Sequence, residues 1–203
     1  MKYAMKKNVM VLLLLIYPVI CFAQDDIKLG LYLRGKAGEI SMIPPSAFAD
    51  GKNNLDLIGW EKPSISLSLR STESKTVTDN QRPEFFFFFI DETKDRMLNA
   101  KEVGMMIRNY PFIYGITPND FILVRLFRTN KNRALRLEKE KVLSGSRYRA
   151  FNVDTIPFTA IPMQNNAFKV IVDSDIPYGE YGFLYKGDVP YERIIYDFCV
   201  NRK

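Results

Sequence analysis

Apolar and polar residues alternate along much of this chain. In "IKLGLYLR", Ile27, Leu29, Leu31 and Leu33 interleave with Lys28, Gly30, Tyr32 and Arg34. In "SISLSLRS", Ile65, Leu67 and Leu69 interleave with serines and Arg70. A period of two predicts strands with one dry and one wet face. Between them, "GEISMIPPSAF" predicts a short strand stopped by Pro44-Pro45, and "LDLIGW" another. The alternation then gives way to "PEFFFFFI", Pro83 to Ile90, with five consecutive phenylalanines. Polar turns bound the run on both sides, so it predicts a central strand covered on both faces, not a helix. Phe85, Phe87 and Phe89 would point one way, and Phe86, Phe88 and Ile90 the other. Arg82, Pro83, Glu84, Asp91 and Glu92 flank the rings as gatekeepers against aggregation. The competing reading, an aromatic platform for a ligand, needs one face left open, and contiguous rings more often fill cores.

Further strands are predicted at "FILVRLF", "RALRLEK", "SRYRAF", "TIPFTAI", "AFKVIV", "GEYGFLY" and "RIIYDFCV". "RTNKN" joins the first two as a hairpin tip, and Gln164-Asn165-Asn166 marks another turn. Residues 97–117 mix helix formers with Gly104, Pro111 and Gly115, which predicts a short helix or an irregular crossing segment. About ten short, evenly spaced strands predict an all-β fold, an antiparallel β-sandwich or a barrel-like relative of it. The polar stretch Ser71–Arg82 is the nearest thing to a seam. It would divide a strand group at 24–82 from a main β-sandwich at 83–203, unless 24–203 is one continuous domain.

The stretches "PEFFFFFI", "TPNDFILVRL", "IPYGEYGFLY" and "YDFCV" resemble, in that order, strand sequences of uncharacterised secreted bacterial β-proteins. The resemblance covers about residues 83–200. It implies a β-sandwich and brings no activity, cofactor or catalytic residue with it. Where that pattern ends in a small residue, this chain has Cys199.

The first residues change the picture. Lys2, Lys6 and Lys7 precede the apolar stretch Val9–Ile20, and Ala23 offers a cleavage position before Gln24-Asp25-Asp26. This is the layout of a signal peptide, residues 1–23, and implies export to the periplasm or beyond. The apolar stretch falls short of the roughly 20 residues a spanning helix needs. Ile20 precedes Cys21 where a lipoprotein signal wants a small residue, which favours cleavage at Ala23 over lipidation. Removing 1–23 takes three lysines and no acids, so a formal charge of +6 becomes +3. That mild charge gives no reason to expect a nucleic-acid partner. Only Cys199 would remain, so no intramolecular disulfide can form, and the apolar strand around it suggests a small buried hydrophobe.

The chain has no histidine. That removes Ser-His-Asp and Cys-His nucleophile systems and His-ligated metal sites. Carboxylate pairs need no histidine, and Asp91, Glu92, Asp95, Asp173, Asp175 and Glu180 are the candidates for a small glycoside hydrolase. Acidic residues in turns more often serve turn geometry, so a non-catalytic protein is the expectation. "VDSDIPYGE" lacks the periodic ligand spacing of a calcium loop, so no metal and no cofactor are implied.

The densest charge is basic. Arg125, Arg128, Lys131, Arg133, Arg136, Lys139 and Lys141 crowd one hairpin, followed by Arg147 and Arg149. By alternation Arg125 and Phe127 share a face, as do Arg133 and Leu135. One reading is an anion-binding face for an envelope protein, anionic lipid or acidic glycan. The blander one is a charged edge hairpin that resists sheet-to-sheet association, with Glu138 and Glu140 breaking up the patch. Tyr178, Tyr181 and Tyr185 could stack on sugars, as could Tyr148, Tyr191, Tyr196 and Trp60, although tyrosines in β-proteins are usually half-buried. The expectation is an exported envelope binding or structural module, with a carbohydrate-binding protein as the alternative.

Overall fold

The computed structural model describes residues 29–54, 64–90, 111–113, 116–142, 145–150, 154–187 and 194–202. The expected signal peptide, Cys21, the "LDLIGW" strand, Trp60, Tyr191 and the acidic trio Asp91, Glu92 and Asp95 lie outside them. The fold is all-β, built from two antiparallel sheets, one of them nearly closed like a barrel.

The smaller sheet has five strands and is centred on the phenylalanine run. It contains β1 (Gly30–Arg34), β2 (Ile40–Met42), β7 (Glu84–Phe88), β12 (Phe158–Pro162) and β13 (Ala167–Val172), in the order β12-β13-β7-β1-β2. The strand read as central is central. Leu31 and Phe168 flank Phe87, while Leu33 and Val170 flank Phe85. Phe85, Phe87 and Phe89 all enter the core between the sheets. The far face differs from the expected oily clamp. Phe86 is buried beside Tyr32 and Lys169, but Phe88 is only half-buried and stands edge-on to Tyr32 at 5.3 Å. Glu84 accepts hydrogen bonds there from Arg34 and Lys169 at 2.7 and 3.0 Å, so polar side chains rim that face. At the β12–β13 turn, Asn165 and Asn166 take φ values of 59° and 52°. Asparagine tolerates that left-handed region better than most residues.

The larger sheet has ten strands. Its path runs β3 (Pro45–Ala47), β15 (Ile194–Val200), β14 (Gly179–Tyr185), β8 (Phe121–Arg128), β9 (Arg133–Val142), β5 (Ser64–Leu69), β4 (Ala49–Asn54). β10 (Gly145–Ala150) pairs with β9, β11 (Thr155–Ile156) with β8, and β6 (Val77–Thr78) with β15. Two cores use opposite faces of its central strands. Phe121 and Leu123 of β8, with Tyr181, Phe183, Tyr196 and Phe198, meet the phenylalanine strand. Val124 and Leu126 point the other way, to Leu67, Leu69, Leu135, Leu137 and Ile195. "FILVRLF" reads as continuously apolar because both of its faces are buried.

The second core lies inside the large sheet, which curls back on itself. β8 and β9 share only two paired positions, Phe127 with Ala134 and Arg128 with Arg133. Further along, β11 takes the place beside β8, pairing Thr155 with Val124 and Ile156 with Leu123. Released there, β9 pairs with β5 over six positions and turns its leucines onto β8. The basic hairpin is therefore not a sheet edge, because β9 has β8 and β5 on either side of it along the path.

Strands from 29–82 join both sheets: β1 pairs with β7, β3 with β15 and β5 with β9. The polar stretch Ser71–Arg82 is likewise tied in. Cys199 and Asn201 donate backbone hydrogen bonds to Thr76 and Thr78, and Arg82 donates to the carbonyls of Val172 and Asp173. Residues 111–113 are helical. A 3-10 turn at Pro118–Asp120 follows, capped by Thr117, whose hydroxyl accepts from the Asn119 amide. Among the described residues no helix is long and apolar enough to cross a membrane.

Candidate binding pocket

At one end of the curled sheet, three charged side chains from three strands converge in the interior. Arg133 of β9 is 1% exposed, Glu180 of β14 3% and Asp197 of β15 4%. Alternation places them there: Arg133 shares its face with Leu135, Glu180 with Leu184, and Asp197 with Ile195. The Arg133 Nη1 donates to Glu180 Oε2 at 2.9 Å and to Asp197 Oδ2 at 2.5 Å. Its Nε and Nη2 donate to the carbonyl and hydroxyl of Ser71, at 3.1 and 2.8 Å. Ser74 completes the arrangement, its amide donating to Glu180 Oε2 and its hydroxyl to the Asp197 carbonyl. Arginine suits this role because its fork satisfies several acceptors and it never loses its charge.

The cluster is not fully satisfied. Glu180 Oε1 is buried without a hydrogen-bond partner. An orphaned carboxylate oxygen is costly in a low-dielectric interior. Formally, one guanidinium also faces two carboxylates. Cys199 lies directly across the strand pair from Glu180 and offers only a thiol, a weak donor. Burial, followed by the nearby Glu180 charge and a hydrogen bond to that carboxylate, pushes that thiol up to about 12. Cys199 is thus a half-buried neutral neighbour and not an activated nucleophile.

Glu180 and Cys199 help form the wall of a pocket of about 530 Å³, whose other sides include Arg125, Arg128, Glu73 and Tyr178. Arg128 pairs with Glu73 at the surface, where such pairs contribute little. Arg125 is exposed and makes no ion pair among the described residues. The Tyr178 ring is 41% exposed, with the Arg202 guanidinium 5.7 Å from its centre. This volume suits a small ligand or one sugar unit.

The pocket gathers some of the sequence-expected residues and disperses others. Arg125, Arg128 and Tyr178 meet in it. Lys131 is exposed at the hairpin tip, and Arg136 lies over the Phe127 ring at 4.2 Å. Arg133 is not available to an external anion, because it faces inward and binds the protein's own carboxylates. Tyr181 is fully buried, its hydroxyl donating to the Pro177 carbonyl at 2.6 Å, so it cannot stack on a sugar. Tyr185 packs against Phe121 and Tyr196 lies in the core. Asp173 and Asp175 are exposed, Asp173 accepting from the Thr159 hydroxyl at 2.7 Å. Neither lines the pocket. Glu73, Ser74, Asp197 and Arg202 are site residues that sequence reasoning missed. For Asp197 a signal existed: a lone acid in the apolar strand "IIYDFCV", at the parity of Ile195.

A third buried acid, Asp154, sits just before β11, with Oδ2 unpartnered. Burial raises its pKa, and the charges of Arg136 and Arg125 oppose the rise. Among the described residues no three acidic, cysteine or histidine side chains are placed to hold a metal. Comparison with protein-family models, curated proteins and solved structures finds no match to this chain.

Proposed function

We propose that this chain is an exported, non-catalytic binding module of the cell envelope, and that its pocket takes the anionic group of a glycan. One observation carries the reading: Arg125, Arg128 and the exposed ring of Tyr178 line a single pocket. Guanidinium groups bind carboxylate or phosphate, and an exposed aromatic face stacks on a sugar ring. The two ligand classes suggested by the sequence, anion and sugar, thereby become one ligand. The signal-peptide pattern of residues 1–23 supports export. Glu180 and Asp197 bind the same guanidinium, which gives both a structural role and argues against using them as an acid and a nucleophile.

The test is retention of the full chain on immobilised acidic and neutral glycans in rising salt. Acidic glycans should retain it and neutral ones should not. Retention should fade as salt screens the charges, and fall at least tenfold in Arg125→Glu. Salt-insensitive retention, or retention untouched by Arg125→Glu, would overturn the reading.

A further inference from the structure

Arg125 stands between the pocket and a buried acid. On one side it pairs with Tyr181 of β14, the strand that enters the pocket wall at Gly179. On the other side Thr155 of β11 pairs with Val124, so one further step of that register sets Asp154 beside Arg125. Asp154 is 4% exposed, does not line the pocket, and keeps Oδ2 without a hydrogen-bond partner. Its ionised form is supported by charge alone. Burial disfavours that form, and the positive charges of Arg136 on β9 and Arg125 on β8 favour it. β14 adds Tyr181, whose phenol burial keeps protonated, and β11 carries no charged residue. Arg125 itself is exposed to an incoming ligand. An anion seated on it would neutralise one of the two cations on which Asp154 leans, in a place where water screens weakly. The carboxyl would then be buried without a donor and with less positive charge near it, which favours its protonated form.

We infer that Asp154 controls the pocket from behind: ionised, it competes with the ligand for the charge of Arg125, and protonated, it releases that charge, so that anion binding is coupled to proton uptake. The inference rests on the anion-binding reading above and adds its regulation. Coupling of this kind is reciprocal, so a proton on Asp154 strengthens anion binding as much as the anion strengthens protonation. In the free protein Arg125 lowers the pKa of Asp154, and a bound anion takes that effect away, so binding raises it. Below the free value Asp154 is protonated with or without ligand, and affinity is flat and highest. Above the bound value it is ionised in both states, and affinity is flat and lowest. Between the two, affinity falls as pH rises, and burial places that window above the ordinary 3.8.

The probe is a sulfated dextran oligosaccharide, titrated calorimetrically into the full chain. Its sulfate esters keep a constant charge from about pH 4 to about pH 8, so any pH dependence belongs to the protein. Wild-type affinity should fall about fivefold across that range, and binding within the window should take up protons. In Asp154→Asn the fall should shrink to about twofold or less, with affinity held near the wild type's acid value. Should that variant not fold, the Asp154 carboxyl carbon, followed by NMR in the wild type, decides the matter. It should titrate at higher pH with the probe than without it. Binding that Arg125→Glu abolishes, but that is flat with pH or as steep in Asp154→Asn as in the wild type, would leave the anion reading standing and overturn the coupling. An Asp154 titration unmoved by the bound probe would do the same. Binding that survives Arg125→Glu, or no binding at any pH, would overturn both.

Discussion

The molecule has two apolar interiors that are built differently. Between the sheets, Phe85, Phe87, Phe183 and Phe198 stack edge-on or tilted, with Phe85 4.9 Å from both Phe183 and Phe198. Such ring pairs each add about 0.5–1.5 kcal/mol beyond the area they bury. Inside the curled sheet the filling is aliphatic, from Leu67, Leu69, Val124, Leu126, Leu135, Leu137 and Ile195, and its end carries the Arg133–Glu180–Asp197 cluster. The first interior can be packed from apolar shape alone. The second spends polar groups to tie the 71–74 segment to three strands, and leaves one buried acceptor, Glu180 Oε1, without a hydrogen-bond partner. The contrast separates an interior held by apolar packing from one tied together by buried charges.

Cavity formation should break the first interior most severely. Phe87 touches the rings of Phe89, Phe112, Phe121 and Phe183 at 5.2–6.0 Å. Phe87→Ala should therefore cost about 4 kcal/mol in a urea unfolding titration. A loss under about 1 kcal/mol would mean that the aromatic core is loosely packed.

Removing the cation should break the second interior almost as far. Arg133→Met leaves two buried carboxylates facing each other and should cost about 3 kcal/mol. Adding Glu180→Gln and Asp197→Asn should recover much of that loss, because neutral amides need no counter-charge. Arg128→Ala, at the exposed end of the same hairpin, should cost under about 1 kcal/mol. Equal effects of Arg133→Met and Arg128→Ala would erase the distinction between the buried cluster and the surface.

The smallest effect sharpens the outer face of the phenylalanine strand. Burial raises the pKa of Glu84, but the hydrogen bonds and charges of Arg34 and Lys169 outweigh it, so the carboxyl sits below its ordinary 4.5. A depressed folded pKa adds stability above the unfolded value, and that stability is lost as pH falls through the folded one. Acidification below 4.5 should therefore erode wild-type stability more steeply than that of Glu84→Gln. Parallel curves would show that the two cations do not hold this carboxylate.

Most strands were legible because side-chain parity is a local property. "AFKVIV", "GEYGFLY" and the phenylalanine run needed only their own alternation and turns to be placed. β4, with the polar sequence "ADGKNN", gave no such signal, since its place comes from pairing with β5. Site residues were harder. Arg125, Arg128 and Tyr178 were visible as types, but their meeting depends on the β8–β9 hairpin, the chain before β14 and the sheet's curvature together.

By itself the sequence determined which residues could share a face, that the chain would form strands, and that histidine chemistry was absent. Only the tertiary structure decided that the large sheet would curl. That curl turned Arg133 from a surface cation into a buried tie and kept Arg125 at a pocket mouth. The physical reason is range: alternation acts between neighbouring residues, whereas Arg133 meets Glu180 and Asp197 across separations of 47 and 64 positions.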